Sequence, residues 1–263
     1  MTSDIDPASN AATLVAAAAR ARDEGAVMLF TPEMSGLIDR DRTRAAPRIV
    51  PEDQDRVLAT LRDAAARHGL WVALGSLAVL RADGRFANRS FVIDAAGNIA
   101  ARYDKLHMFD VDLVTGESWR ESNAYAPGDA VVTVGTPAGR LGLAICYDIR
   151  FPALFEALGR ARCDLIAIPA AFTVPTGQAH WHILQRARAI EASAYVVSAA
   201  QVGTHADGRE TYGHSLAVDP WGEVLLDLGG ERVGLDFTEI DPRRIAEVRA
   251  QLPSLANKRS IAG

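Results

Sequence analysis

The sequence predicts an α/β layered fold of one domain, from three observations. Short apolar runs alternate with capped helical segments along the whole chain. Turn-linked strand pairs are mixed with strand–helix–strand crossovers, which favours layered sheets over a purely parallel one. No repeat, low-complexity tract or Pro/Gly/Ser linker divides the 263 residues. In chain order, an Ala-rich helix is expected over the first twenty-five residues. Asn10 or Ser9 would cap it, and Gly25 stands where a left-handed C-cap belongs. AVMLF (26–30) reads as a buried strand ended by Thr31-Pro32. A second helix would start at Pro51, in the first-turn position proline tolerates, and stop before Gly69. Strands are expected at 70–80, 89–94, 99–105 and 140–145. A helix follows Pro152, a strand covers 163–172, a long helix runs over 178–193 and a strand follows at 194–201. A meander at 214–220, 222–228 and 235–240 closes the fold before a last helix from Pro242.

Composition then removes several classes of function. Lys and Arg number 28 against 33 Asp and Glu, a net charge of −5, so no basic surplus exists to grip nucleic acid. No apolar run approaches the roughly 20 residues of a membrane span, and no membrane partner is expected. MTSDIDPASN is polar and acidic where a signal peptide carries bases. Two cysteines in a chain this long read as free thiols in a reducing cytoplasm. CxxC, HExxH and carboxylate clusters are missing, and His180 and His182 would point to different faces of a helix, so no metal is expected. The glycines form neither GxGxxG after a strand nor GxxxxGK[ST], so no nucleotide cofactor is expected.

Three strand-end loops carry the chemistry. Cys146 closes an apolar strand five residues ahead of Phe151-Pro152, where a helix begins. A nucleophile at such an elbow is held clear of the core, beside a backbone N–H free to bind an oxyanion. The competing reading is a small buried hydrophobe, as most free cysteines are, and Cys163 takes that reading. Glu33 lies just past the 26–30 strand and Lys105 ends another strand; each alone also reads as a solvated charge. Together a carboxylate, an ammonium and a thiol at three strand ends supply a general base, an oxyanion donor and a nucleophile. Arg150, four residues after Cys146, suits a bidentate grip on a substrate carboxylate or an ion pair equally well. Thr176 is a further candidate for lining the pocket.

These residues resemble the nitrilase, or carbon–nitrogen hydrolase, superfamily. The resemblance rests on Glu33 in LFTPEMSG, Lys105 in YDKLHMFDVD and Cys146 in GLAICYDIRFP, in the family's Glu-Lys-Cys order, and runs over nearly the whole chain. TGQAHWHILQRARAIE (176–191), YGHSLAVDPWGEVL (212–225) and LPSLANKR (252–259) place it nearest the branch of deaminated glutathione amidases and omega-amidases. The resemblance implies a four-layer αββα sandwich whose protomers pair through a helical face, as a homodimer or a higher homo-oligomer. It also implies a thioester route in which Glu33 serves Cys146 as base, while Lys105 and the Tyr147 backbone N–H hold the oxyanion. Glu121 matches the family's second glutamate, with Glu117 the weaker claimant.

The chain departs from its relatives at the N-terminus. They begin with a buried strand ahead of the segment that here reads MTSDIDPASNAATLV, so the expectation is an upstream start, a trimmed chain or a sheet with an open apolar slot. The expected substrate is a small carboxylate-bearing amide, deaminated glutathione first and alpha-ketoglutaramate second. Rival readings are an N-carbamoyl amidohydrolase, a true nitrilase, a Cys–His hydrolase using His107, and a catalytically idle ligand-binding member of the fold.

Overall fold

Residues 1–114, 116 and 118–259 are described by the structure, a computed structural model. Helix α1 (Pro7–Asp23) leads into β1 (Met28–Phe30). A one-turn helix α2 (Arg42–Ala45) and α3 (Arg56–His68) precede the meander β2 (Trp71–Leu80), β3 (Phe86–Ile93) and β4 (Ile99–Asp104). Two hairpins follow, β5 (Asp110–Asp112) with β6 (Ser118–Arg120), and β7 (Thr133–Thr136) with β8 (Gly139–Leu143). Then come α4 (Pro152–Arg160), β9 (Leu165–Ala167), α5 (Val174–Ala192) and β10 (Tyr195–Ser198). The chain closes through hairpin β11 (Val202–Thr204) and β12 (Glu210–Tyr212), then β13 (Leu216–Val218), β14 (Val224–Asp227), α6 (Pro242–Gln251) and α7 (Ser254–Asn257).

Two sheets form the middle of the fold, one in the order β1-β2-β3-β4 and one in the order β14-β13-β10-β9-β8-β7. Alternation along the first sheet decides its two faces. Leu29, Val72, Leu74, Phe91 and Ile93 pack against Leu14 and Ala18 of α1 and Leu58 and Leu61 of α3. Their neighbours Met28, Ala73 and Val92 point the other way and join Leu141, Leu143 and Ala167 of the second sheet. The second sheet's far side meets Phe155 of α4 and Trp181 of α5 in the same core. The layers are therefore helix, sheet, sheet, helix, as expected.

Several element ends differ from the sequence reading for local reasons. Pro7 takes the first helical position of α1, so the cap falls on Asp6, whose carboxylate accepts from the N–H groups of Ala8 and Ser9. Asn10 is buried instead, donating to the carbonyls of Asp4 and Gly36. Pro51 opens a 3-10 turn, and α3 starts five residues later behind an Asp55 cap. Its C-cap Gly69 has φ +60°, the left-handed conformation glycine supplies. The expected strand over 235–240 is not formed. That segment is largely exposed, and no strand lies beside it among the described residues. It borders an apolar groove of about 880 Å³ between α1, the free edge of β1 and the β13–β14 side, lined by Leu14, Leu29, Leu216, Leu228 and Leu235. No helix among the described residues is long and apolar enough to cross a membrane.

Candidate active site

Glu33 follows β1, Lys105 follows β4 and Cys146 follows β8, so the sandwich delivers all three to one edge of its paired sheets. Each is buried, Lys105 to 2% exposure, which means charges here can be tolerated only in pairs. Lys105 Nζ donates to Glu33 Oε1 at 3.0 Å and to Glu121 Oε2 and Oε1 at 2.9 and 3.1 Å. Asn88 Nδ2, on β3, donates to Glu33 Oε1 at 2.9 Å and to Glu121 Oε1 at 3.2 Å. The Ala171 N–H donates to Glu33 Oε2 at 2.9 Å, and the Cys146 thiol lies beside the Glu33 carboxylate. Glu121 Oε2 accepts from the Phe109 N–H at 2.7 Å.

These contacts settle the protonation pattern. Burial alone would raise the Glu33 carboxyl, but the Lys105 charge and the donors from Cys146, Lys105 and Asn88 hold it below the usual carboxylate range. Burial alone would lower the Lys105 ammonium, and Glu121 and Glu33 outweigh it, lifting it well above the ordinary lysine value. Burial and then the adjacent Glu33 charge push the Cys146 thiol well above its usual value. At rest the site holds a neutral thiol beside an ionised carboxylate, so attack by sulfur requires Glu33 to take the proton as it proceeds.

The Cys146 backbone has φ +48°, a left-handed conformation for a residue with a side chain. Asp148 holds it there from beneath. Its buried carboxylate accepts from the Ile145 N–H at 2.9 Å and the Tyr103 hydroxyl at 2.7 Å, and from His107 through the backbone N–H at 3.0 Å and Nδ1 at 2.7 Å. Cys146 N donates to the Pro169 carbonyl at 2.9 Å. The Tyr147 N–H, next in a 3-10 turn spanning Cys146–Arg150, has no acceptor among the described residues. His107 thus serves Asp148 and stacks on Phe151, with ring centroids 3.6 Å apart, rather than serving the thiol.

The Glu33 loop is positioned by close backbone contact. Gly75 of β2 donates to Thr31 Oγ1 at 3.0 Å, and a Cβ built on it would lie 2.0 Å from the Thr31 carbonyl and 2.4 Å from that of Pro32. Gly75→Ala must therefore displace the segment that aims Glu33. We expect kcat to fall at least about tenfold and a urea melt to show about 1–3 kcal/mol lost, the range for forced overpacking.

A cavity of about 480 Å³ opens over these groups, lined by Glu33, Lys105, Glu121, Cys146, Tyr147 and Thr176. The larger groove beside α1 has neither a thiol nor a buried carboxylate among its lining residues, so the chemistry belongs to the smaller space. Arg150 does not line the cavity. Its guanidinium lies 5.9 and 5.4 Å from the ring centres of Tyr147 and Phe172, which do, and meets His180 Nδ1 at 3.3 Å. Thr176 Oγ1 lies 2.7 Å from Thr173 Oγ1 at the start of α5. Glu117 lies outside the described residues.

Sequence reasoning missed Asn88, Asp148, the Ala171 N–H and Arg209, which also lines the cavity. Asn88 lies one position ahead of the expected 89–94 strand and beside Arg89 and Ser90, so no local pattern marked it. It also missed a grouping of His182, His214 and Asp227, distant in sequence, whose ligand-type atoms lie within 4.8 Å of one another. Asp227 accepts from both rings at 2.9 Å, away from the cavity.

The profile of the carbon–nitrogen hydrolase family matches residues 1–250. The chain is 41% identical over 206 residues to a deaminated glutathione amidase of Yersinia enterocolitica, covering 77% of this chain and 71% of that one. It is 38% identical to a deaminated glutathione amidase of Bos taurus, over 98% of this chain and 80% of the relative. The crystal structure of the C. elegans NitFhit protein superposes with a TM-score of 0.90 at 37% identity, covering 98% of this chain; the chain spans only 63% of that longer protein.

Proposed function

The chain belongs to the carbon–nitrogen hydrolase family and is an amidohydrolase of C–N bonds, and on that premise we propose that it cleaves a small carboxylate-bearing amide through a thioester on Cys146. The observation that carries the reading is Cys146 beside the Glu33 carboxylate, with Lys105 Nζ 3.0 Å from that same carboxylate, all lining one cavity. Glu33 takes the thiol proton as sulfur bonds to the amide carbon. Negative charge moves to the carbonyl oxygen, where Lys105 and the Tyr147 N–H receive it. The C–N bond breaks as Glu33 returns its proton to the departing nitrogen, leaving a thioester. Glu33 next takes a proton from water, hydroxide adds to the thioester carbon, and the C–S bond breaks. The sulfur recovers its proton and the acid leaves. Glu121, bonded to Lys105 and to the Phe109 N–H, positions the ammonium throughout.

Deaminated glutathione is the first candidate substrate, supported by the names of the relatives, and alpha-ketoglutaramate the second. We take residues 1–263 as one hydrolase domain acting in the cytoplasm as a homodimer or higher homo-oligomer, with Thr176 lining the substrate cavity and Arg150 behind its Tyr147 and Phe172 wall. No cofactor or metal enters this scheme. The test is release of ammonia or amine from deaminated glutathione, alpha-ketoglutaramate, an N-carbamoyl amino acid and an aliphatic nitrile. Turnover of an acidic amide alone is expected. Preference for the carbamoyl compound or the nitrile, or silence from folded protein, would overturn the proposal.

A further inference from the structure

Arg209 and Trp119 stand together on the cavity wall, each with a donor that nothing uses. Arg209 comes from β11–β12, and its guanidinium lies 4.7 Å from the ring centre of Trp119 on β6. Its Nε and the Trp119 Nε1 are both shut off from solvent and have no hydrogen-bond partner among the described residues. Asp207 does not satisfy them. Its nearest oxygen to the guanidinium is 3.7 Å from Arg209 Nη2, in ion-pair range but beyond hydrogen-bond reach, and it accepts instead from the backbone N–H groups of Arg40 and Arg209 at 2.7 and 2.9 Å. Buried donors of this kind are almost always paired, so two unpaired ones on residues that line one cavity call for an acceptor from outside the chain. A guanidinium and an indole N–H, both donors only, select an anion.

The place of this pair sets which part of a ligand it meets. Trp119 neighbours Phe109 at 6.2 Å between ring centres, and Phe109 neighbours Tyr147 at 5.1 Å. Arg150 lies at the Tyr147 end of the row, beside the nucleophile, and Arg209 at the Trp119 end. Resting on the amidase reading, we propose that Arg209 and Trp119 form a subsite for a second substrate carboxylate, carried on the leaving-group side of the amide. The site thereby favours an amide with an acid at both ends over one that releases bare ammonia.

Cys146→Ala protein, which retains the cavity but not the nucleophile, reads this subsite by calorimetry without turnover. Deaminated glutathione carries a carboxylate on its leaving side; alpha-ketoglutaramate carries only –NH2 there. In that background Arg209→Met is expected to weaken deaminated glutathione about 10- to 100-fold and alpha-ketoglutaramate less than about 3-fold, the range for a charge-assisted hydrogen bond. Trp119→Phe keeps the ring, removes the N–H and is expected to cost about 3- to 10-fold on the first amide alone. If Arg209→Met does not fold, Trp119→Phe decides. Equal weakening of both amides, unchanged binding, or no binding of deaminated glutathione before either substitution would overturn the subsite. Failure of the amidase reading is seen separately, as wild-type protein that binds these amides and releases no amine or ammonia.

Discussion

Lys105→Met protein is expected to lose about 10³-fold in kcat and about 3–5 kcal/mol in stability, the ranges for removing an oxyanion donor and for breaking a buried ion pair from one side. Methionine fills similar volume, so packing is not the cause. Lys105 is the cation between Glu33 and Glu121, and without it two carboxylates share a largely buried site with Asn88 Nδ2 as their common donor. The pH dependence gives a second readout. Glu33 is held below the ordinary carboxylate range, so its contribution to stability is fully present above the unfolded value of about 4.3 and is lost as pH falls through the lower folded value. Removing the Lys105 charge raises the folded value. The acid limb of activity then moves to higher pH, and stability at neutral pH falls with it. A variant with low kcat but an unmoved acid limb would show that Lys105 does not set the charge of Glu33.

Cys146→Ala is expected to reduce kcat by about 10⁴- to 10⁶-fold, the range for loss of a covalent nucleophile. Cys163→Ala should leave kcat within about twofold, since that thiol is buried in the core away from the cavity. Stability separates the roles of side chain and backbone at position 146. With φ at +48°, alanine keeps the strain that cysteine has and glycine is free of it. Cys146→Gly should therefore be about 1 kcal/mol more stable than Cys146→Ala, the reverse of the usual order in regular structure. That inversion, measured by thermal melts, would show that the elbow is held in a conformation costly to any residue with a Cβ, as functional sites often are. An Ala variant more stable than the Gly variant would contradict it.

The parts of this site legible in the sequence were those announced by local pattern. Glu33, Lys105 and Cys146 each follow an apolar strand, and their surrounding motifs carry the family likeness. Glu121 was visible only through that likeness, because a loop acid at the end of a short hairpin has no periodicity to mark it. The groups that tune the three came from distant elements. Asn88 reaches Glu33 across 55 positions and the Ala171 N–H across 138. Asp148 carries no local signal in the sequence, yet four donors converge on it, from Tyr103, His107 and Ile145. Strand ends failed where tertiary pairing decides the matter. The apolar 163–172 run yields only the three-residue β9 because pairing with β8 and β10 spans just those positions. The 235–240 run has strand-like alternation and no strand beside it.

Glu33→Gln tests the central claim most directly, because it keeps the shape of the side chain and removes its capacity to accept and return a proton, at the cost of one charge of the Lys105 pair. Amine or ammonia release should fall at least about 10³-fold across the pH range, with far-UV circular dichroism unchanged. Turnover within about tenfold of wild type would contradict the account and return the role of base to another group.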